Sequence, residues 1–426
     1  MKIILAYPAQ IITVNTNGKN YKRGKELNNI SAVENHSLII EEGLIKDIIP
    51  NSSTKISPGD KVIDVKDKVV LPGLIECHTH TAFAGSRSDE FRRRLSGESY
   101  EEIAKNGGGI NSTVKAVRNS SVEELISLLI PRVNYFISQG ITSLEIKSGY
   151  GLDYENELKL LQAINYLKDI FPVDIVPTFL GAHTFPPEFN NDHESYIELL
   201  TNKLIPYISL HKLAKYCDAF CESTAFSASE IERIFIKAKE SGMGLKLHTE
   251  QFNNIGGIDL ALKHSVTSAD HLEVLEESKL NKLANSEIVC TLLPGVSFFL
   301  NYQYAPARKL IDNNAIIALA TDYNPGSSHI ANLNFIMSLA AIKTGMTIEE
   351  TISAVTINAA KAIGLNEITG SIEINKQADF AVFDTYNYSD IVYNIGKNLN
   401  CMTIKKGKII YSTISNMDNT DKTDID

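Results

Sequence analysis

The run VVLPGLIECHTH at residues 69–80 ends in His78 and His80, two imidazoles two residues apart. At the extended end of a strand, period 2 puts both rings on one side, about 6 to 7 Å apart along the backbone. Two such rings can converge on one metal ion at about 2.0–2.1 Å. Surface histidines also fall two apart by chance, so the pair alone decides nothing. Reactive types recur, however, at the ends of other apolar runs. Tyr150 closes LEIKSGY, His183 closes PTFLGAH, Glu222 follows YCDAFC, His248 closes GLKLH, His271 closes SADH and Asp322 closes IIALATD. Of ten histidines, five stand at such ends.

His78, His80 and His248 with Asp322 make an N₃O set that suits Zn²⁺, and Fe²⁺ nearly as well. Such an ion acidifies bound water and polarises a carbonyl or amidine carbon. Asp322 can reach both ion and water, which makes it the candidate general base and the later proton donor to a leaving nitrogen. His271 is the candidate partner of the water or of a developing oxyanion. His36, His193, His211 and His264 fall in the terminal β segment or in helical and loop stretches and read as ordinary. His329 follows the eighth-strand loop, where it could support the site. In the loop AFAGSRSDEFRRR at 82–94, Arg87 sits in the Gly/Ser-rich part that must cross the mouth, and its fork suits a substrate carboxylate. Arg92, Arg93 and Arg94 read as solvated surface. DYNPGSS at 322–328 is a tight turn, shaped by Pro325 and Gly326, whose amides and Asn324 side chain could orient a polar substrate.

These residues need elements to hold them. Strand-like runs at 69–78, 141–148, 174–183, 216–222, 243–248, 268–273, 287–293 and 316–322 alternate with helical stretches. Ser121 precedes VEELISLLIPRVNYFISQG, with apolar residues at three-and-four spacing and Gly140 as a stop, and Ser227 and Ser229 open EIERIFIKAKESG. Eight βα units predict a (β/α)₈ barrel, an α/β fold whose reactive groups lie at the C-terminal strand ends. A doubly wound sheet is the rival, and would need a Gly-rich phosphate turn after an early strand. GGGI at 107–110 follows no strand and reads as a loop over the mouth. Residues 1–66 read as short strands with a hairpin-type turn at Asn17 and Gly18, and 366–426 repeat the style with a hairpin tip at Lys406, Gly407 and Lys408. Each terminal piece is too small to bury a sheet, so the two are expected to pair into one small β-sandwich domain around a barrel at 67–365, ending in a frayed polar tail.

A chain of 426 residues with 43% hydrophobic and 22% charged residues suits one large α/β domain with a smaller companion. The formal charge of -10 and the lack of a basic run argue against nucleic acid, though not against a small anion in a local field of its own. Residues 4–14 are apolar but lack the charged flank and cleavage site of a signal peptide, and no apolar span is long enough for a membrane helix. A cytoplasmic protein is the expectation. Cys77, Cys217, Cys221, Cys290 and Cys401 are scattered and odd in number, unlike a disulfide framework. Cys217 and Cys221 lack a second pair for zinc and read as buried small apolar residues.

PGLIECHTHTAFAGSRSDEFRRRLSGESYEEIAKNGGGI, EIKSGYGL, PTFLGAH, KLHTEQF, SADHLE and TDYNPGSS together resemble the imidazolonepropionase family of the amidohydrolase superfamily, over roughly residues 2 to 410. H-x-H alone would indicate the superfamily; AFAGSR, GGGI, SGYGL and NPGSS are more specific. The resemblance implies a metal-dependent hydrolase barrel that opens the cyclic amide of 4-imidazolone-5-propanoate to N-formimidoyl-L-glutamate, in histidine degradation. It implies a metal held by His78, His80, His248 and Asp322, zinc in some members and iron in others. It also implies substrate contacts from Arg87, Tyr150, His183, Gln251, Asn324, Gly326 and Ser327, and a homodimer. Some members carry glutamate where this chain has Gln251, a neutral amide that cannot take a proton, which moves acid–base work to Asp322 and His271. Glu250 would face the other way on a strand. The fourth run closes on Glu222, with no lysine to bridge two metals, so one ion per chain is expected. A related cyclic-amidine or nucleobase deaminase would share the metal set but release ammonia, and a non-catalytic barrel would bind metal without turnover.

Overall fold

The computed structural model describes residues 2–98 and 108–414. GGGI begins outside these residues, and the tail expected to fray lies outside them from residue 415 onward.

Eight parallel strands form the central sheet: Leu74–Glu76, Ile141–Lys147, Asp174–Ala182, Tyr216–Cys221, Gly244–Thr249, Ser268–His271, Val289–Leu292 and Ile316–Leu319. The first and last close on each other just beyond their ends. The Asp322 amide donates to the His78 carbonyl at 3.1 Å, the His80 amide donates to the Tyr323 carbonyl at 3.0 Å, and Thr79 bridges Tyr323 in parallel. The barrel predicted from the alternation is therefore present, with its helices outside.

Local sequence explains the helix starts. Ser121 accepts from the Glu124 amide while the Glu124 side chain accepts from the Ser121 amide, a capping box that opens Val122–Ser138. Ser227 and Glu230 repeat the device at Ala228–Glu240, and Asp153 caps Tyr154–Ile170 through the Asn156 amide. No helix among the described residues is long and apolar enough to cross a membrane.

Both chain ends build the companion β domain. One sheet takes Leu44–Pro50, His36–Glu41, Lys2–Ala6 and Lys61–Asp64 in that order. The other runs Lys408–Ser412, Asn400–Lys405, Phe380–Phe383, Val69–Pro72, Gln10–Ile12 and Ala32–Val33. Leu5, Leu38, Ile40, Val70, Phe380, Val382 and Met402 share a buried apolar cluster drawn from both. Lys406 and Gly407, both at positive φ, make the hairpin tip expected there. Asn17 and Gly18 do turn, but the chain passes through the 3₁₀ turn Gly24–Asn28 before it returns as Ala32–Val33, antiparallel to Gln10–Ile12.

The run 69–78 is not one strand. Val69–Pro72 pairs with Phe380–Phe383 and Gln10–Ile12 in the small domain, and the barrel strand begins only at Leu74. Gly73 is the hand-over, past the junction expected at residue 66: its amide donates to the Asp379 carbonyl at 2.9 Å, and the next amide donates to Gly140 in the barrel at 2.9 Å. A Cβ here would lie 2.2 Å from Thr142 Oγ1, so the crossing needs glycine. An unbroken apolar pattern concealed the change of sheet. All five cysteines are free and buried.

Candidate active site

His78 and His80 leave the first barrel strand, His248 lies near the end of the fifth, and Asp322 follows the eighth. All four are buried. Asp322 Oδ1 is 3.3 Å from His78 Nε2 and 3.2 Å from His80 Nε2, and His248 Nε2 is 3.2 Å from His80 Nε2. Donor atoms of His78, His80 and Asp322 lie within 4.8 Å of one another, as do those of His78, His248 and His271.

The tautomers follow from partners beneath. His78 Nδ1 lies 2.7 Å from Asp270 Oδ2, and His248 Nδ1 lies 3.1 Å from Asp218 Oδ1, so each Nδ1 carries the proton. Each Nε2 then points a lone pair at the Asp322 carboxylate or at another imidazole. The His78 Nε2 lone pair and the Asp322 Oδ1 lone pairs, 3.3 Å apart, repel unless a cation stands between them. His78 Nε2 and Asp322 Oδ1 are accordingly buried with no hydrogen-bond partner. Burial, then Lys147 and His248, push the His78 imidazole down to about 4, which keeps it neutral for ligation. Burial opposes the charge on Asp322, but His78 and His80 outweigh it and hold the carboxyl well below its usual range. The donor set fits a divalent metal.

Below lies a charged layer that the sequence reading passed over. Lys147 Nζ bridges Glu145 Oε1 at 2.7 Å and Asp218 Oδ2 at 2.8 Å, and Lys246 Nζ reaches Glu145 Oε1 at 3.2 Å. These side chains are fully buried, so the charges survive only by mutual pairing. Burial acts against the charge on Asp218, yet His248 and Lys147 hold it well below the carboxylate range. The signal was available: Glu145 and Lys147 are two apart in an otherwise uncharged strand, and Lys246 and His248 are likewise two apart, which places each pair on one barrel face.

His271 sits at φ 86, with Leu272 at 73 and Asp322 at 50, left-handed conformations that cost non-glycine residues energy and collect here at strand ends. The His271 ring is 5.9 Å from that of His78 and 5.4 Å from that of His248. Burial disfavours its protonation, but Glu273, whose Oε1 is 3.5 Å from Nδ1, outweighs burial and raises it.

Loops over the strand ends supply the remaining groups. His183 stacks on His80 at 5.1 Å and its Nδ1 donates to the Gly149 carbonyl at 2.9 Å; Tyr150 stands 6.0 Å from the His80 ring. The buried Glu157 carboxylate orders SGYGL by accepting from the Gly149, Gly151 and Leu152 amides. Glu222 does the same for the turn carrying Gln251, accepting from the Phe252 and Asn253 amides. Gln251 itself is buried. Glu250 faces the outer helices, with Glu276, Lys279 and Asp259 as its charged neighbours, and burial pushes it up to about 7.

Asn324 is occupied within its own loop. Its Nδ2 donates to Asp322 Oδ2 at 3.1 Å, and its Oδ1 accepts from the Gly326 and Ser327 amides. Arg87 lies against that loop, since a Cβ on Gly326 would fall 2.0 Å from Arg87 Nη1. Beside them opens a cavity of about 240 Å³ lined by Arg87, Glu90, Phe91, Arg94, Phe299 and Gly326 among others. Arg94, read from sequence as surface, is drawn into this wall because its guanidinium covers Phe91 and Phe299, whose rings stack at 5.0 Å. His329 lines the same cavity, its Nδ1 3.3 Å from the Asn324 carbonyl.

An adenosine deaminase from Xanthomonas campestris with bound zinc is similar in structure, with a TM-score of 0.72 at 16% identity, covering 98% of this chain and 94% of that one. A guanine deaminase from E. coli gives 0.69 at 14%, with 97% and 100% covered. At such identities these neighbours bear on the fold alone. The family model described as Amidohydrolase family matches residues 69–410, and fold and site together define that class. Imidazolonepropionase from Clostridium tetani is 40% identical over 412 residues, covering 96% of this chain and 98% of its own. The enzymes of that name from Geobacillus thermodenitrificans and Vibrio campbellii are 43% identical over 392 residues and 44% over 338, covering 91% and 79% of this chain and 92% and 81% of their own. Within the amidohydrolases, this chain belongs to the imidazolonepropionase family.

Proposed function

We propose that this chain hydrolyses the cyclic amide C–N bond of 4-imidazolone-5-propanoate to N-formimidoyl-L-glutamate, in the degradation of histidine. Relatives at 40–44% identity bear the corresponding name. The observation that carries the reading is the seat of Arg87 against Gly326, in the loop that Asp322 opens, which sets a carboxylate receptor beside a hydrolytic centre.

His78, His80, His248 and Asp322 hold one Zn²⁺ or Fe²⁺ per chain. When bound, the ion supplies Lewis acidity toward the ring carbonyl and acidifies water. Arg87 takes the propanoate through its terminal nitrogens. Tyr150 and His183 flank the ring beside His80, while Gln251, Gly326 and Ser327 offer it polar contacts. Asn324 steadies Asp322 Oδ2, leaving Oδ1 toward the histidines. Asp322 takes a proton from the attacking water and returns it to the ring nitrogen as the C–N bond breaks. The water oxygen ends on the former carbonyl carbon, so one water is consumed and no ammonia leaves. His271, its imidazole raised by Glu273, donates to the developing oxyanion. The assembly we propose is a cytoplasmic homodimer, and light scattering that gives the mass of one chain would refute that part.

Product analysis with 4-imidazolone-5-propanoate tests the reaction. Formimidoyl-glutamate without free ammonia is expected. Ammonia release from a cyclic amidine or nucleobase, with the propanoate untouched, would assign a deaminase instead.

A further inference from the structure

We propose that Glu90 is the positioning residue for Arg87 and thereby sets the preference of this site for substrates whose tail ends in a carboxylate; the inference rests on the function proposed above. Arg87 Nε donates to Glu90 Oε2 at 2.8 Å, and the two side chains are only 9% and 13% exposed. The other oxygen of Glu90 accepts from the Gly109 amide at 3.0 Å and from Ser112 Oγ at 3.2 Å, at the start of helix Ile110–Asn119. One carboxylate therefore ties the segment carrying Arg87 to the start of a separate helix.

The choice of nitrogen matters. A guanidinium is planar, and pairing through Nε fixes that plane while leaving the terminal nitrogens as the presented edge. That edge lies at Gly326, where an added Cβ would meet Nη1 at 2.0 Å and Nη2 at 3.2 Å, and it borders the cavity of about 240 Å³. A fork already held in its plane loses less freedom on capturing a carboxylate than one on a wandering side chain. A neutral amide lacks the charge and the two equivalent oxygens that make pairing with that fork strong. The contribution of Glu90 must therefore appear with an anionic tail, act through Arg87, and vanish without either.

Steady-state kinetics on the metal-loaded enzyme test this, using 4-imidazolone-5-propanoate and its uncharged propanamide counterpart with wild type, Glu90→Ala, Arg87→Ala, the double variant and Ser112→Ala. Losing a charge-assisted hydrogen bond predicts a KM for the propanoate raised about tenfold in Glu90→Ala, with kcat nearly unchanged. The propanamide KM should not move, the double variant should match Arg87→Ala, and Ser112→Ala, which removes one of the two bonds seating that oxygen of Glu90, should raise the propanoate KM by less than Glu90→Ala does. An equal loss on the propanamide, or a further loss on the Arg87→Ala background, overturns the proposal and makes Glu90 a loop support. A wild-type enzyme inactive on the propanoate would overturn the proposed function, and this inference with it.

Discussion

His78 and His248 each commit Nδ1 to a buried aspartate, and that commitment decides what Nε2 can bind. Removing the carboxylate while keeping the shape isolates the effect. Asp270→Asn should weaken metal affinity by about 10–100-fold, read by chelator competition with metal analysis; an unchanged affinity would contradict the assignment of the tautomer to Asp270. The reactive side chains at this scale were legible because histidine and aspartate at the ends of apolar runs have few structural uses. Asp218 and Asp270 were not, since Asp218 sits inside the apolar run YCDAFC and Asp270 directly before the more conspicuous His271, and their value depends on partners from other strands. Asn324 stands out in the sequence by its place in the DYNPGSS turn, and its amide hydrogen-bonds Asp322 and its own loop.

At the level of elements, eight strands followed from periodicity, and two of the helix starts from Ser121 and Ser227. The first strand was misread because 69–75 stay apolar while the chain passes from one sheet to another at Gly73. Sequence pattern reports burial and is blind to which sheet does the burying. Gly73→Ala should test that hand-over: forcing a methyl onto Thr142 predicts a loss of about 1–3 kcal/mol, seen as a lower melting temperature. Full stability in that variant would mean that the two sheets can part at no cost.

Across the whole molecule, the two ends of the chain are fastened to each other and to the barrel. Lys405 Nζ, from the last sheet, pairs with Asp379 at 2.8 Å and with Asp174 of the barrel at 2.6 Å. Glu373 accepts from Thr16 Oγ1 at 3.0 Å and Ser371 Oγ at 2.5 Å, which joins residues from opposite ends of the sequence. Burial opposes its charge, yet Ser371, Lys376 and Thr16 outweigh burial and lower its pKa. A lowered carboxyl stabilises the fold above the ordinary glutamate range and loses that contribution as pH falls through the lowered value. Glu373→Gln should therefore melt below wild type at neutral pH, with the gap closing in acid. A gap independent of pH would contradict an ionised Glu373.

The central claim is that His78, His80, His248 and Asp322 form one hydrolytic metal centre. Metal content measured beside turnover of 4-imidazolone-5-propanoate, in wild type and Asp322→Asn, tests it most directly. About one zinc or iron per chain, ring opening by the wild type and near-complete loss of turnover in the variant are expected. A variant that opens the ring as fast as wild type, or a metal-free wild type that remains fully active, would contradict it.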